Sequence, residues 1–407
     1  MSESANEPRA LGRLLIAVFA CTPLGIVGNS PHAGAQPAQV HEAPAITIRG
    51  LDLHDGQIMQ QGGTYYFYGT MYAPDNTDSN CTQPFVWRDT ASQWCGFGVS
   101  TAHSLKGPWS APTVLISNTS EDYAIDQPFE QACMGRDGTF ARPNGEGCFE
   151  PRMYHQTWGN QKWTLWFNVP NNETDRRETG VFQIVCAGPA GPCDPQDWAV
   201  PVYSGGCADE ATGMQVVTLG RTAVLFCATI DQTLAETELG GDGVSASDLG
   251  GLTSVESPGV YYDHASKAWV LTYSDPNCGY CAGTGTGFAT HRATSLTGDD
   301  AWAVLGHTSS ADQLETSTTN CGGQPGGVDM LGGRAYEQVD LWAGTSWGEA
   351  GSPTRLEPLG DPTVAAVQYP CPSVRLSGRE LRDADAKGAG GRPQSLGSAH
   401  GSSPGRA

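Results

Sequence analysis

Five times along the chain, a turn of Gly, Asn or Ser opens a short run of alternating aromatic and β-branched residues. The runs are Gly63–Gly69, Gly159–Phe167, Gly220–Phe226, Ser266–Tyr273 and Gly333–Val339. Alternation with period two predicts β-strands, because successive side chains leave opposite faces of the pleat. A second short apolar segment precedes each run: Gln57–Met59, Arg152–Tyr154, Met214–Val217, Gly259–Tyr261 and Val328–Met330. A third strand follows three of them, at Gly98–Thr101, Val181–Val185 and Gly287–Thr290, with Trp109, Trp198 and Trp302 at the outer turns. Helical periodicity is nearly absent, and turn signals recur between the runs. An aromatic hairpin unit repeated five times predicts an all-β, five-bladed β-propeller, in which the first strand of each blade lines a central channel. A strand near Ala45–Ile48 is expected to pair with Thr363–Gln368 and complete the fifth blade. A β-sandwich with uneven repeats is the alternative.

The ends of the chain read differently. Arg9 and Arg13 precede the apolar stretch Leu14–Val27, and Ala33-Gly34-Ala35 offers a small-residue cleavage site. That layout predicts a secretory leader over residues 1–35, followed by a linker at 36–44 and the propeller at 45–375. Residues 376–407, rich in Gly, Ser, Arg and Pro, read as a disordered tail. Lipid attachment at Cys21 is the weaker alternative, since Phe19 is bulky where a small residue is wanted. Of 13 cysteines, loss of Cys21 with the leader leaves an even number, as paired thiols in an extracellular protein require. Close spacing suggests Cys81–Cys95, Cys133–Cys148, Cys186–Cys193 and Cys278–Cys281. The net charge of −21 argues against nucleic acid and against anionic membrane surfaces. No second apolar segment is long enough to cross a bilayer, so the mature protein is expected as a secreted monomer.

Chemistry gathers at the heads of the five first strands. Asp55, Glu150, Asp209, Glu256 and Gln324 stand there, so a propeller would bring four acids and an amide around one pocket. Crowded carboxylates separate into protonated and ionised members. Glycoside hydrolysis needs that division, one group to protonate the leaving oxygen and another to activate water. Any one of these acids taken alone reads as a loop cap; their recurrence carries the functional reading. His54, Tyr261 and Trp158 are candidate sugar contacts, His54 with a buried carbonyl as its other partner and Trp158 with packing as its other role. No cofactor is expected: the Cys278/Cys281 pair lacks a second pair of zinc ligands, and no ligand string for an axial Ca²⁺ is found.

The string Leu53-His54-Asp55-Gly56-Gln57-Ile58 with Gly63–Gly69 resembles the opening of glycoside hydrolase family 43. Cys148-Phe149-Glu150-Pro151-Arg152, Ser254-Val255-Glu256-Ser257-Pro258 and Cys321-Gly322-Gly323-Gln324 add to the likeness, which is nearest the exo-β-1,3-galactanase branch. The resemblance implies a five-bladed propeller and an inverting glycosidase acting on galactan, arabinan or xylan chains. It further implies Glu256 as general acid, Asp55 as base, Glu150 orienting substrate or stabilising charge, Asp209 tuning the acid, and Gln324 positioning water. The His-Asp-Gly string mixes the arabinanase-like and galactanase-like patterns.

Overall fold

The computed structural model describes residues 45–72, 94–117, 148–156, 162–169, 180–193, 200–201, 213–220, 222–228, 233–239, 246–253, 256–264, 267–274, 288–293, 296, 314–317, 324–341 and 352–359. These residues are all-β. The chain begins with β1 (Ile46–Ile48) and then forms the first sheet from β2 (His54–Gln61), β3 (Thr64–Tyr72), β4 (Trp94–Ala102) and β5 (Thr113–Ser117). The second sheet comprises β6 (Phe149–His155), β7 (Trp163–Val169), β8 (Gly180–Cys186) and β9 (Val200–Pro201). The third holds β10 (Gly213–Leu219), β11 (Thr222–Ala228), β12 (Thr233–Leu239) and β13 (Ala246–Thr253). The fourth holds β14 (Glu256–Asp263), β15 (Ala268–Ser274), β16 (Phe288–Ala293) and β17 (Leu314–Ser317). The fifth is built from β18 (Gln324–Leu331), β19 (Arg334–Asp340) and β20 (Thr354–Pro358), with β1 on its outer edge.

Each sheet is four-stranded and antiparallel, four of them are simple meanders, the fifth is closed by β1, and the five aromatic runs supply β3, β7, β11, β15 and β19. One expectation is corrected. Ile46 pairs with Leu356 and Ile48 with Thr354, so β20, and not Thr363–Gln368, takes the N-terminal strand. Leu356 is wholly buried beside Ile48, Leu51 and Leu53, and that apolar contact selects the register.

The sheets bury both faces. On β11, Ala223, Leu225 and Cys227 pack toward Tyr154, Trp166 and Val181 of the second sheet. The intervening Val224, Phe226 and Ala228 pack toward Val260, Leu271 and Tyr273 of the fourth. Comparable clusters join the first sheet to the second through Tyr68, Phe97, Met153 and Phe167, and the fourth to the fifth through Tyr261, Val270, Val328 and Ala335. A fifth cluster joins the last sheet to the first, through Leu331, Tyr336 and Leu356 against Ile58 and Phe67.

The first strand of each sheet has a partner on one side only, which leaves its other row of backbone groups to be satisfied elsewhere. Polar side chains from neighbouring sheets do this. Asp329 Oδ2 accepts the Ile58 N–H at 2.7 Å, and Gln57 Oε1 accepts the Met153 N–H at 2.9 Å. The Tyr154 hydroxyl accepts the Val216 N–H at 3.0 Å, and Gln215 Oε1 accepts the Val260 N–H at 3.0 Å. The Thr272 hydroxyl donates to Glu337 Oε2 at 2.8 Å, linking the fourth sheet to the fifth. Polar residues inside apolar strands thus hold one sheet to the next.

The Cys186–Cys193 pairing is present, and Cys95, Cys148 and Cys227 are also disulfide-bonded. Cys81, Cys133, Cys278 and Cys281 lie outside the described residues, as do the segments expected as leader, linker and tail.

Candidate active site

Four of the five first strands carry a bulge near their start. Two residues oppose one at Asp55-Gly56, Glu150-Pro151, Ser257-Pro258 and Gly326-Gly327, whereas β10 pairs without interruption. Within the first three bulges, Asp55, Glu150 and Ser257 adopt left-handed backbone, with φ of 48°, 57° and 47°. Such a conformation costs a non-glycine residue about 1–3 kcal/mol and persists where surrounding contacts enforce it, as at ligand sites.

The register refines the sequence reading. Asp55 and Glu150 occupy the same bulge position, but Glu256 stands one residue before its bulge, opposite Ser274. Gln324, half-buried and opposite Asp340, lies two residues before Gly326. The candidates therefore share a neighbourhood without sharing one register position. Asp209 and Trp158 fall outside the described residues.

Contacts link these strand starts across the molecule. A side-chain carbon placed on Gly326 would lie 4.0 Å from the Asp55 α-carbon. Arg152 Nη2 donates to the Gly326 carbonyl, and Gly327, at φ 103°, leaves room for that guanidinium. Two residues before Arg152, the buried Glu150 carboxylate accepts three hydrogen bonds. Its donors are Asn168 Nδ2 at 3.2 Å, the Met214 N–H at 2.9 Å and the Ser257 hydroxyl at 3.0 Å. One carboxylate thus ties together the starts of β6, β10 and β14.

Asp55 is held from the fifth sheet. Asp340 Oδ2 accepts its N–H at 2.6 Å while Oδ1 accepts the Thr354 hydroxyl at 2.7 Å. Burial raises the Asp340 carboxyl, opposed by His54 nearby and by these hydrogen bonds. His54 is wholly buried, with Nε2 3.3 Å from Asp52 Oδ1. An imidazole so enclosed has an internal polar partner in Asp52. Tyr261 packs beside Val270, Val328 and Ala335.

Beneath the strand starts lies a polar layer that the sequence reading did not assign: Arg152, Gln215, Asp329 and Glu337. Gln215 Nε2 donates to the carbonyls of Val260 and Val328, at 3.0 and 3.2 Å. Burial pushes the Asp329 carboxyl up to about 7 against the opposing pull of Arg152 and the Ile58 N–H. Glu337 is pushed up to about 8 by burial, opposed by the Thr272 hydroxyl and the Gly327 N–H. Both carboxyls hold protons more tightly folded than unfolded. The folded state therefore binds more protons between the unfolded carboxyl range near 4 and these raised values. Their contribution to stability is fully present below that range and is lost as pH rises through about 7 to 8. Asp329→Asn should accordingly flatten the fall in melting temperature between pH 5 and pH 8.5 relative to wild type. An unchanged slope would show that Asp329 does not titrate in that window.

Among the described residues, no group of three or more His, Cys, Asp or Glu side chains is placed to hold a metal ion. No helix among them is long and apolar enough to cross a membrane.

No protein-family model matches the chain, and no curated protein matches it. Solved structures do. An exo-β-1,3-galactanase from Phanerochaete chrysosporium, bound to β-1,3-galactotriose, aligns over 78% of this chain at 16% identity with a TM-score of 0.51. The alignment spans 64% of that galactanase's own chain. A family 43 β-1,3-galactosidase bound to galactodeoxynojirimycin aligns over 80% of this chain and 99% of its own, at 15% identity and TM-score 0.53. A putative exo-β-1,3-galactanase from Bifidobacterium bifidum aligns over 82% of this chain and 98% of its own, at 13% identity and TM-score 0.52. The chain has the propeller-type fold of glycoside hydrolase family 43 enzymes.

Proposed function

We propose that the protein is a secreted, inverting glycoside hydrolase, acting on galactan, arabinan or xylan chains and leaning toward terminal β-1,3-linked galactose. In this reading the five sheets are blades of one closed ring, and the site sits where the first strands begin. One observation carries it: contacts through Gly326, Arg152, Glu150 and Ser257 join the starts of β2, β18, β6 and β14, the strands on which Asp55, Gln324, Glu150 and Glu256 stand. The galactose-type ligands in the structural neighbours support the choice of sugar.

Glu256 protonates the leaving oxygen, and Asp55 draws a proton from the attacking water. Inverting chemistry needs roughly 6.5–9.5 Å between two such carboxyls so that the water fits. Gln324 positions that water, and Asp209 tunes the acid. Glu150, with three protein donors on its carboxylate, contributes through the placement of its neighbours. The apolar stretch Leu14–Val27, read as a leader, and the disulfides support export.

The test is direct. Purified protein is incubated with β-1,3-galactan, arabinan, xylan and their oligomers, and the products are followed by NMR as they form. Release of a sugar with inverted anomeric configuration is expected, fastest on β-1,3-galactan. Binding without turnover on every glycan would replace the reading with that of a non-catalytic carbohydrate-binding propeller.

A further inference from the structure

We infer that Ser257, clasped by Glu150, is a positioning residue that sets the aim of Glu256. The inference rests on the hydrolase reading above and goes beyond it by assigning a role to a residue outside the acid set. Three observations converge on this serine. First, its backbone is left-handed at φ 47°, although it is neither glycine nor asparagine. Second, its hydroxyl donates to Glu150 Oε1 at 3.0 Å, while the other oxygen of that carboxylate accepts the Met214 N–H at 2.9 Å. Third, Gly213 gives the clasp room. A side-chain carbon there would lie 2.7 Å from the Ser257 nitrogen and 3.2 Å from Glu150 Oε1.

The geometry gives Ser257 a task. Glu256 pairs with Ser274 and Gly259 with Thr272, so Ser257 and Pro258 together face a single residue on β15. A bulge of this kind re-aims the residues beside it, and here it fixes the phase of Glu256 relative to the rest of β14. Left to itself, a serine favours right-handed or extended backbone and would relax the bulge. The hydrogen bond to Glu150 opposes that relaxation. Glu150 is itself anchored to Asn168 at 3.2 Å, so the second and third sheets hold a backbone turn of the fourth. A proton donor must meet its leaving oxygen within hydrogen-bond reach, and a misplacement near 1 Å can cost about 10²-fold in rate.

Ser257→Ala removes the hydroxyl. Ser257→Gly also removes it but accepts left-handed backbone without steric cost, so the fold is kept while the clasp is lost. Both variants are assayed on β-1,3-galactobiose, whose leaving group needs protonation, and on 2,4-dinitrophenyl β-D-galactoside, whose leaving group does not. The expected result is a roughly 10- to 100-fold loss of kcat on the disaccharide, little change in KM, and near wild-type turnover of the activated glycoside. A loss limited to substrates that need an acid is something general destabilisation does not produce. Equal loss on both substrates, or no loss on either, overturns the positioning role. If Glu256→Gln leaves disaccharide turnover intact, Glu256 is not the acid and this inference falls with that assignment; if wild type cleaves neither compound, the hydrolase reading has failed and this inference falls with it. A sensitive Glu256 with indifferent Ser257 variants overturns the inference alone.

Discussion

Glu256→Gln lowers kcat/KM on a natural disaccharide by about 10²–10⁴-fold, the range that a positioned general acid supplies. Glutamine keeps the size and polarity of the side chain but has no acidic proton, so the protein should melt at an unchanged temperature. The deficit should shrink as the leaving group becomes more acidic, because an activated aryloxide departs without protonation. In the wild type, the rate on disaccharide falls once pH passes the acid's titration, and in the variant that basic limb disappears. The measurement is a pair of pH–rate profiles on disaccharide and on 2,4-dinitrophenyl glycoside. Disaccharide turnover within about threefold of wild type would remove Glu256 from the chemistry, since no general-acid role is so small. Asp55→Asn makes a useful contrast, because loss of the base should slow both substrates.

Arg152→Leu destabilises the folded protein by about 3–5 kcal/mol at pH 8, the usual consequence of taking one partner from a buried charged network. That is a large share of a margin of roughly 5–15 kcal/mol. Arg152 is among the largest wholly buried side chains, and its guanidinium holds the Gly326 carbonyl. Its positive charge also lowers the Asp329 and Glu337 carboxyls against the burial that raises them. Without it, both acids retain their protons to still higher pH, so the variant should be least stable under alkaline conditions. Arg152→Lys should recover little, because a point charge cannot reproduce the planar fork that fits between Gly326 and its neighbours. Arg152→Leu combined with Asp329→Asn should lose less than the two single changes added together. Urea unfolding at pH 5.5 and pH 8 measures all three effects. A variant within about 1 kcal/mol of wild type at both values would show that the guanidinium bears no structural load.

The strands were legible in the sequence because their pattern is local. β11 alternates Ala223, Leu225 and Cys227 with Val224, Phe226 and Ala228, and the structure sends these two sets to different neighbouring sheets. A strand covered on both faces reads as aromatic and aliphatic throughout, which is how the five runs stand out. The heads of the first strands were legible as well, since acids recur where apolar runs begin. Less visible was the function of polar residues inside those runs. Gln57, Gln215 and Asp329 satisfy backbone groups on strands as much as 271 positions away, and no short-range pattern encodes such a partner. The fifth sheet shows the same limit. Its N-terminal strand was expected near Ala45–Ile48, but the choice of β20 as partner depends on Leu356 reaching the cluster around Leu53 and Phe67.

The order of residues alone determined that this chain makes repeated antiparallel hairpins and that acids stand at their starts, because both are properties of neighbouring positions. Only the tertiary structure decided how those starts meet. Asp55 and Glu150 fall at one bulge position and Glu256 one residue earlier, and Glu150 turns its carboxylate to Ser257 and Met214. His54 and Tyr261 are enclosed in the interior. The reason is geometric. A bulge shifts the phase of a strand by one residue, and which face that shift presents is settled by packing against sheets that lie far along the chain.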